Sequence, residues 1–167
     1  MADRGGARFA TWYGLISTMG GVGFLKGMSG MAATLAAFVI LIAAGGVGLP
    51  AVGAAALAGG VAADGYARRA SCDARPEEIV IDKAVGYWTS MLWLDSSYAV
   101  VALILFRLVD IVRPFPLAAA NLLPRGAGIM AGGIMGGAMV NILMRALSWL
   151  FFAGGFDLIY RYLVNGV

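Results

Sequence analysis

The sequence predicts an all-α fold, a multi-pass bundle of helices in a membrane, and three observations carry that prediction. Hydrophobic residues make up 61% of the chain against 13% charged, too little charged surface to keep a soluble domain of 167 residues in water. Charge-free stretches run over 27–63 and 126–144, and one membrane-spanning helix takes roughly 20 residues. Glycine and proline clusters, not polar linkers, divide those stretches. The length suits a single domain over 1–167.

In chain order, no charge falls between Arg8 and Lys26, but Gly20-Gly21-Val22-Gly23 interrupts the run. That segment reads as an interfacial helix, a re-entrant helix or a short span. No clear small-x-small cleavage site ends a short apolar region and the next hydrophobic run follows at once, so it is expected to be retained and not removed as a signal peptide. The stretch 27–63 is too long for one crossing. Gly45-Gly46-Val47-Gly48-Leu49-Pro50 splits it into a spanning helix over 28–44 and an Ala- and Gly-rich helix over 51–63. The polar stretch 64–78 holds Arg68, Arg69 and Arg75 beside Asp64, Asp73, Glu77 and Glu78, and Pro76 breaks it. Its arginines favour the cytoplasmic side of a membrane.

The run 79–93 is apolar apart from Asp82 and Lys83, and 97–112 is apolar apart from Arg107 and Asp110. The latter ends at Arg113-Pro114-Phe115-Pro116. Proline donates no backbone hydrogen bond and pushes the preceding residue out of the helical region, so this helix should stop near Val112. The stretch 126–144 is long enough to cross. The aromatic-rich 146–164, with Asp157 and Arg161, reads as a last span or an interfacial helix. Trp12, Trp88, Trp93 and Trp149 lie near predicted helix ends and read as interfacial anchors.

Composition also excludes chemistry. With no histidine, the chain lacks the usual general base, the Ser-His and Cys-His nucleophile pairs and the commonest zinc ligand. Cys72 is alone, so it forms no internal disulfide. The net charge of +3 is spread along the chain, with no basic cluster for nucleic acid; the expected partner is the phospholipid bilayer.

Ionisable residues within apolar helices are costly, which makes each one a functional candidate. Two groups qualify: Asp82-Lys83, and Arg107-x-x-Asp110-x-x-Arg113, whose three-residue spacing lets Asp110 reach both arginines. The plainer reading of the second is a structural ion pair at a helix end with snorkelling arginines. Glycines four apart, at Gly128, Gly132 and Gly136 and again at Gly133 and Gly137, form small-x-x-x-small registers where another helix backbone can approach. A phosphate-cradling loop would need a lysine with Ser or Thr, or a preceding strand, and has neither.

Three blocks resemble the phosphatidylglycerophosphatase A family: Glu78-Ile-Val-Ile-Asp82-Lys83-Ala-Val-Gly86-Tyr-Trp88, Phe106-Arg107-Leu-Val-Asp110-Ile-Val-Arg113-Pro114-Phe-Pro116, and Gly126-Ala-Gly128-Ile129-Met130. Gly27-Met28-Ser29-Gly30 is a weaker echo of the family's N-terminal proline-glycine-threonine motif. The resemblance implies a magnesium-dependent enzyme removing phosphate from phosphatidylglycerol phosphate, with Asp82 and Asp110 at the family's catalytic positions. It also shows departures. Lys83 stands where the family has glutamate, Gly132 and Gly133 where it has aspartates, and Lys26 and Met28 where it has proline and threonine.

Magnesium takes hard oxygen ligands in near-octahedral geometry, and an added ammonium repels it by several kcal/mol even at an effective dielectric of about 20. Lys83, Lys26 or both are therefore expected to pair with Asp82 and Asp110 in place of an ion, with no metal or other cofactor bound. Three functions follow as expectations. The first is a non-catalytic scaffold or accessory subunit, docking partner membrane chains or a second copy through its glycine registers. The second is an active phosphatase that uses Asp82 and Asp110 for magnesium. The third is an anionic phospholipid-binding protein with Lys26, Lys83, Arg107 and Arg113 as a basic pocket. Restoring Lys83→Glu, Gly132→Asp and Gly133→Asp together is the sequence's own test for lost activity.

Overall fold

A computed structural model describes residues 11–25, 27–69, 79–114 and 125–152, and all regular structure among them is helical. Six α-helices follow in order: α1 (Trp12–Ser17), α2 (Ser29–Ala43), α3 (Leu49–Arg69), α4 (Ile81–Ser90), α5 (Ala99–Val112) and α6 (Arg125–Phe152). Short 3-10 turns at Val22–Phe24 and Ser96–Tyr98 lead into α2 and α5.

Helix α2 starts and stops within a residue of its expected bounds. Gly45 and Gly46 take φ of 70° and 121° straight after it, a conformation that costs a residue without Cβ little. Helix α3 runs past the expected end at 63 and takes in the start of the polar stretch as far as Arg69. No proline lies in 64–69, and Tyr66 is buried there, so packing carries the helix on through Gly65. Helix α5 ends at Val112, as the following proline requires.

The largest departure is α6. The segment expected over 126–144 and the start of the one expected over 146–164 run together in one helix of 28 residues, Arg125–Phe152, and 153–164 lies outside the described residues. The charge between them, Arg145, does not interrupt it, because no glycine or proline lies there and its guanidinium finds backbone acceptors on a neighbouring element. Asp157 and Arg161 lie outside the described residues.

The bundle is arranged around a short helix. Helix α4 has 10 residues, about 15 Å of rise, roughly half the hydrocarbon thickness of a bilayer. It is buried along nearly its whole length, packed most extensively on α6 and also against α2, α3 and α5. Tyr87, Val85, Phe106, Leu41 and Val140 fill the fully buried core around it.

Close approach of α4 to α6 is a glycine effect. A Cβ on Gly86 would fall 2.5 Å from the Gly133 carbonyl and 2.6 Å from Phe106. One on Gly137 would strike the Gly86 carbonyl, and one on Gly133 the Asp82 carbonyl. Of the two expected registers, Gly133 and Gly137 form this crossing. Gly128 and Gly136 are buried and Gly132 half-buried on the same helix.

Both ends of α4 are tied. At its start the Val80 N–H donates to the Ser17 carbonyl at 2.9 Å, and at its end Asn141 Nδ2 donates to the carbonyls of Ser90 and Leu92, each at 2.9 Å. Arg145 adds a bond to the Leu92 carbonyl at 3.2 Å and one to Asn141 Oδ1 at 2.9 Å. The orphan carbonyls of a buried helix end thus receive donors from α6, and a cation stands at the negative end of the helix dipole. Trp88 corrects the interfacial reading: it is half-buried, and its indole N–H donates to the Ala37 carbonyl of α2 at 3.0 Å. Trp12, Trp93 and Trp149 are exposed.

Among the described residues, one helix, over Ala127–Leu150, is long and apolar enough to cross a membrane, and Ser29–Ala43 is a shorter apolar helix.

Candidate functional site

The polar centre forms where the start of α4 meets the end of α5. Asp82 lies in the first turn of α4, where the N-terminal end of a helix favours a carboxylate, and it is buried. Asp110 lies in the last turn of α5, where the helix dipole disfavours a carboxylate. Two cations offset that cost. Lys83 Nζ lies 2.7 Å from Asp82 Oδ2 and 2.8 Å from Asp110 Oδ1, and Arg107 Nη1 lies 3.0 Å from Asp110 Oδ2. A single ammonium therefore bridges carboxylates on two helices. Formal charges within the four residues cancel.

Two more helices close the site. On α6, the backbone of Gly133 presses on that of Asp82. On α2, Gly30 leaves room for the Arg107 guanidinium; a Cβ there would lie 3.3 Å from Nη1. Two buried atoms in this centre make no hydrogen bond, Asp82 Oδ1 and Arg107 Nε. Buried polar atoms are nearly always partnered, so both stand out against the usual pattern.

The sequence candidates separate accordingly. Asp82, Lys83, Arg107 and Asp110 converge. Arg113 does not join them: it is exposed as the C-cap of α5 with φ of 45°, where the chain leaves the helical path, and among the described residues Asp110 pairs with Arg107 alone of the two arginines. Lys26 lies outside the described residues. Gly133 takes part by backbone contact, and this corrects the proposed restoration: an aspartate side chain at 133 has no space between α6 and Asp82.

Asn141 and Arg145 were missed as the anchor of α4. Their signal was available: two polar residues four apart on one face of an otherwise apolar helix. Gly30 and the packing role of Gly86 had no such signal, since their meaning lies in which atom sits opposite.

The donor set can be tested against a divalent ion. Among the described residues, no three side chains of Asp, Glu, Cys and His converge. The two carboxylates that meet already share an ammonium, and Gly133 offers no side-chain oxygen. Magnesium prefers six hard oxygens at short range, and these residues do not fit it.

Comparison with known proteins gives two matches. A family model described as Phosphatidylglycerophosphatase A matches residues 15–148. A protein of Bacteroides thetaiotaomicron with the provisional name phosphatidylinositol-3-phosphatase is 31% identical over 80 residues. The aligned part is 45% of this chain and 50% of that relative, so the chain spans about half the length of the curated relative it matches. No solved structure matches the chain significantly.

Proposed function

The chain belongs to the phosphatidylglycerophosphatase A family, and from that premise we propose that it is a lipid-phosphatase-related membrane protein without metal-dependent hydrolysis. In this reading it is a multi-pass protein of the bacterial cytoplasmic membrane that serves as a scaffold or accessory subunit. The observation that carries the loss of hydrolysis is the Lys83 ammonium, seated 2.7 Å and 2.8 Å from the two carboxylates that resemble the family's catalytic positions. Phosphoryl transfer depends on cations that neutralise charge developing on the phosphate. Here the two cations of the centre, Lys83 and Arg107, are paired with the protein's own carboxylates.

Membrane placement is supported by α6 and by apolar stripes turned outward. Met31, Leu35, Val39 and Ile42 on α2 and Val100, Ile104, Leu108 and Ile111 on α5 are all exposed. Large apolar residues repeating at three- and four-residue spacing on an outer surface suit lipid.

A second reading, binding of an anionic phospholipid headgroup without cleavage, draws on the unpartnered Arg107 Nε. The balanced charge of the cluster and the adjacent Asp82 Oδ1 weigh against it.

The test is phosphate release from phosphatidylglycerol phosphate by the purified chain, with and without magnesium. The expected result is no release above background in either condition. Turnover at the rate of an ordinary family member would defeat the reading.

A further inference from the structure

We propose that the Arg145 guanidinium, where the end of α4 meets α6 and with exposed Trp93 and Trp149 as its neighbours, binds the phosphate of an anionic phospholipid headgroup. The site lies at the opposite end of α4 from the Asp82 centre. It rests on the membrane placement proposed above and is independent of the loss of hydrolysis.

Three observations carry it. First, Arg145 is a prearranged donor with an uncompensated charge. Its Nε donates to Asn141 Oδ1 at 2.9 Å, and its Nη2 to the carbonyls of Leu92 at 3.2 Å and Trp93 at 3.5 Å. Asn141 is itself fixed, because its Nδ2 donates to the carbonyls of Ser90 and Leu92. Among the described residues Nη1 donates to nothing, and no carboxylate pairs with this guanidinium. Asp95, two residues after Trp93, instead accepts from the Ser97 N–H at 2.9 Å. A guanidinium held in place loses little freedom on binding, and its N–H groups suit phosphate oxygens.

Second, the depth suits a headgroup. Helix α6 carries no charge over 126–144, so Arg125 and Arg145 stand about 30 Å apart along its axis, the thickness of bilayer hydrocarbon. Gly133, which packs on Asp82, is about 18 Å from Arg145 on that axis.

Third, two indoles are turned outward beside the cation. Trp93 takes φ of 57°, a conformation that a bulky side chain disfavours, and its side chain is left 73% exposed. Trp149, four residues after Arg145 on the same face of α6, is 67% exposed. Indoles favour the headgroup level of a bilayer. Depth and indoles together select a lipid phosphate over an acidic segment of another protein.

The experiment reads lipid preference at this end of the fold. Trp12→Phe removes the exposed indole of α1, which leaves Trp93 and Trp149 as the exposed tryptophans. That chain is reconstituted in phosphatidylcholine vesicles. Fluorescence quenching by brominated phosphatidylserine is compared with quenching by brominated phosphatidylcholine at the same mole fraction. Phosphatidylserine is anionic, and its use keeps the family's own substrate out of the assay. The anionic lipid should be preferred about fivefold at low salt, as expected for one cation beside one anionic headgroup. Arg145→Gln in the same background should abolish the preference.

Equal quenching by the two lipids overturns the proposal, and so does a preference that Arg145→Gln keeps. If that variant does not fold, salt decides. A contact through the guanidinium weakens in about 0.5 M sodium chloride, and a preference that survives there overturns the proposal. Sodium phosphate of matched ionic strength should act no more strongly than chloride; stronger displacement would make free phosphate the ligand and overturn it too. Absence of quenching by either lipid would sink the membrane placement together with this site. Turnover of lipid phosphate would touch the hydrolysis reading alone.

Discussion

At the scale of single residues, Lys83 decides most. It sits one position after Asp82 on a helix start, where its stem can turn back over the first turn and place Nζ between two helices. Breaking a buried ion pair by removing one partner leaves charge uncompensated, at a typical cost of 3–5 kcal/mol. Lys83→Met should therefore lose about 3–5 kcal/mol of stability, measured by unfolding in detergent. Lys83→Arg should lose less, because it keeps the charge, although a planar fork fits poorly where one point charge serves two carboxylates.

Asp95 offers a residue-scale test with a pH sign. It is exposed in the turn before α5, and accepting from the Ser97 N–H at 2.9 Å holds its carboxyl below the ordinary aspartate range. A depressed pKa means the turn is supported at neutral pH and loses that support as the medium falls through the aspartate range and then through the folded value. Protection of the Ser97 amide should fall in that acid window, and Asp95→Asn should lack the transition.

At the scale of elements, the α4–α6 crossing and the α4 anchor make separate predictions. Gly86→Ala must push apart α4, Phe106 and the Gly133 carbonyl, so it should cost about 1–3 kcal/mol or prevent folding. Gly53→Ala on α3 meets nothing within 4 Å and should be neutral or stabilising by about 0.5–1 kcal/mol, since alanine is the better helix former. Size-exclusion profiles and Tm of the two variants check both at once. Asn141→Ala leaves the Ser90 and Leu92 carbonyls short of a donor in a buried place and should cost about 1–3 kcal/mol by the same measurement. Restored acidity on α6 must also avoid position 133. Lys83→Glu with Gly132→Asp leaves Gly133 in place, and its phosphate release with magnesium tests what remains of the family's chemistry.

At the scale of the whole molecule, a buried half-length helix carries the polar centre, and longer apolar helices surround it. A bilayer accepts short or interrupted backbone where protein covers it, and α4 is covered on all the sides that α2, α3, α5 and α6 present. The chain should stay with the membrane fraction after an alkaline carbonate wash. Ile104→Asp, on the outward stripe of α5, should reduce insertion, whereas the same change in a water-facing position would not.

What the sequence determined by itself was whatever depends on neighbours along the chain. Apolar runs without charge implied helices, Gly45-Gly46 and Pro114 ended α2 and α5 where they should, and three ordered blocks pointed to the family. Asp82, Lys83, Arg107 and Asp110 were legible as candidates because charge in an apolar run is costly wherever it falls. Tertiary structure decided which of them meet. It took Arg113 out of the group by a turn of the backbone, and it put Asn141, Arg145 and Trp88 to work on the ends and flank of α4. It also distinguished Gly133 and Gly137 from the other glycines of α6. The physical reason is range: helix propensity and turn chemistry act over a few residues, whereas an ion pair or a backbone crossing depends on atoms that only the packed bundle brings within a few ångströms.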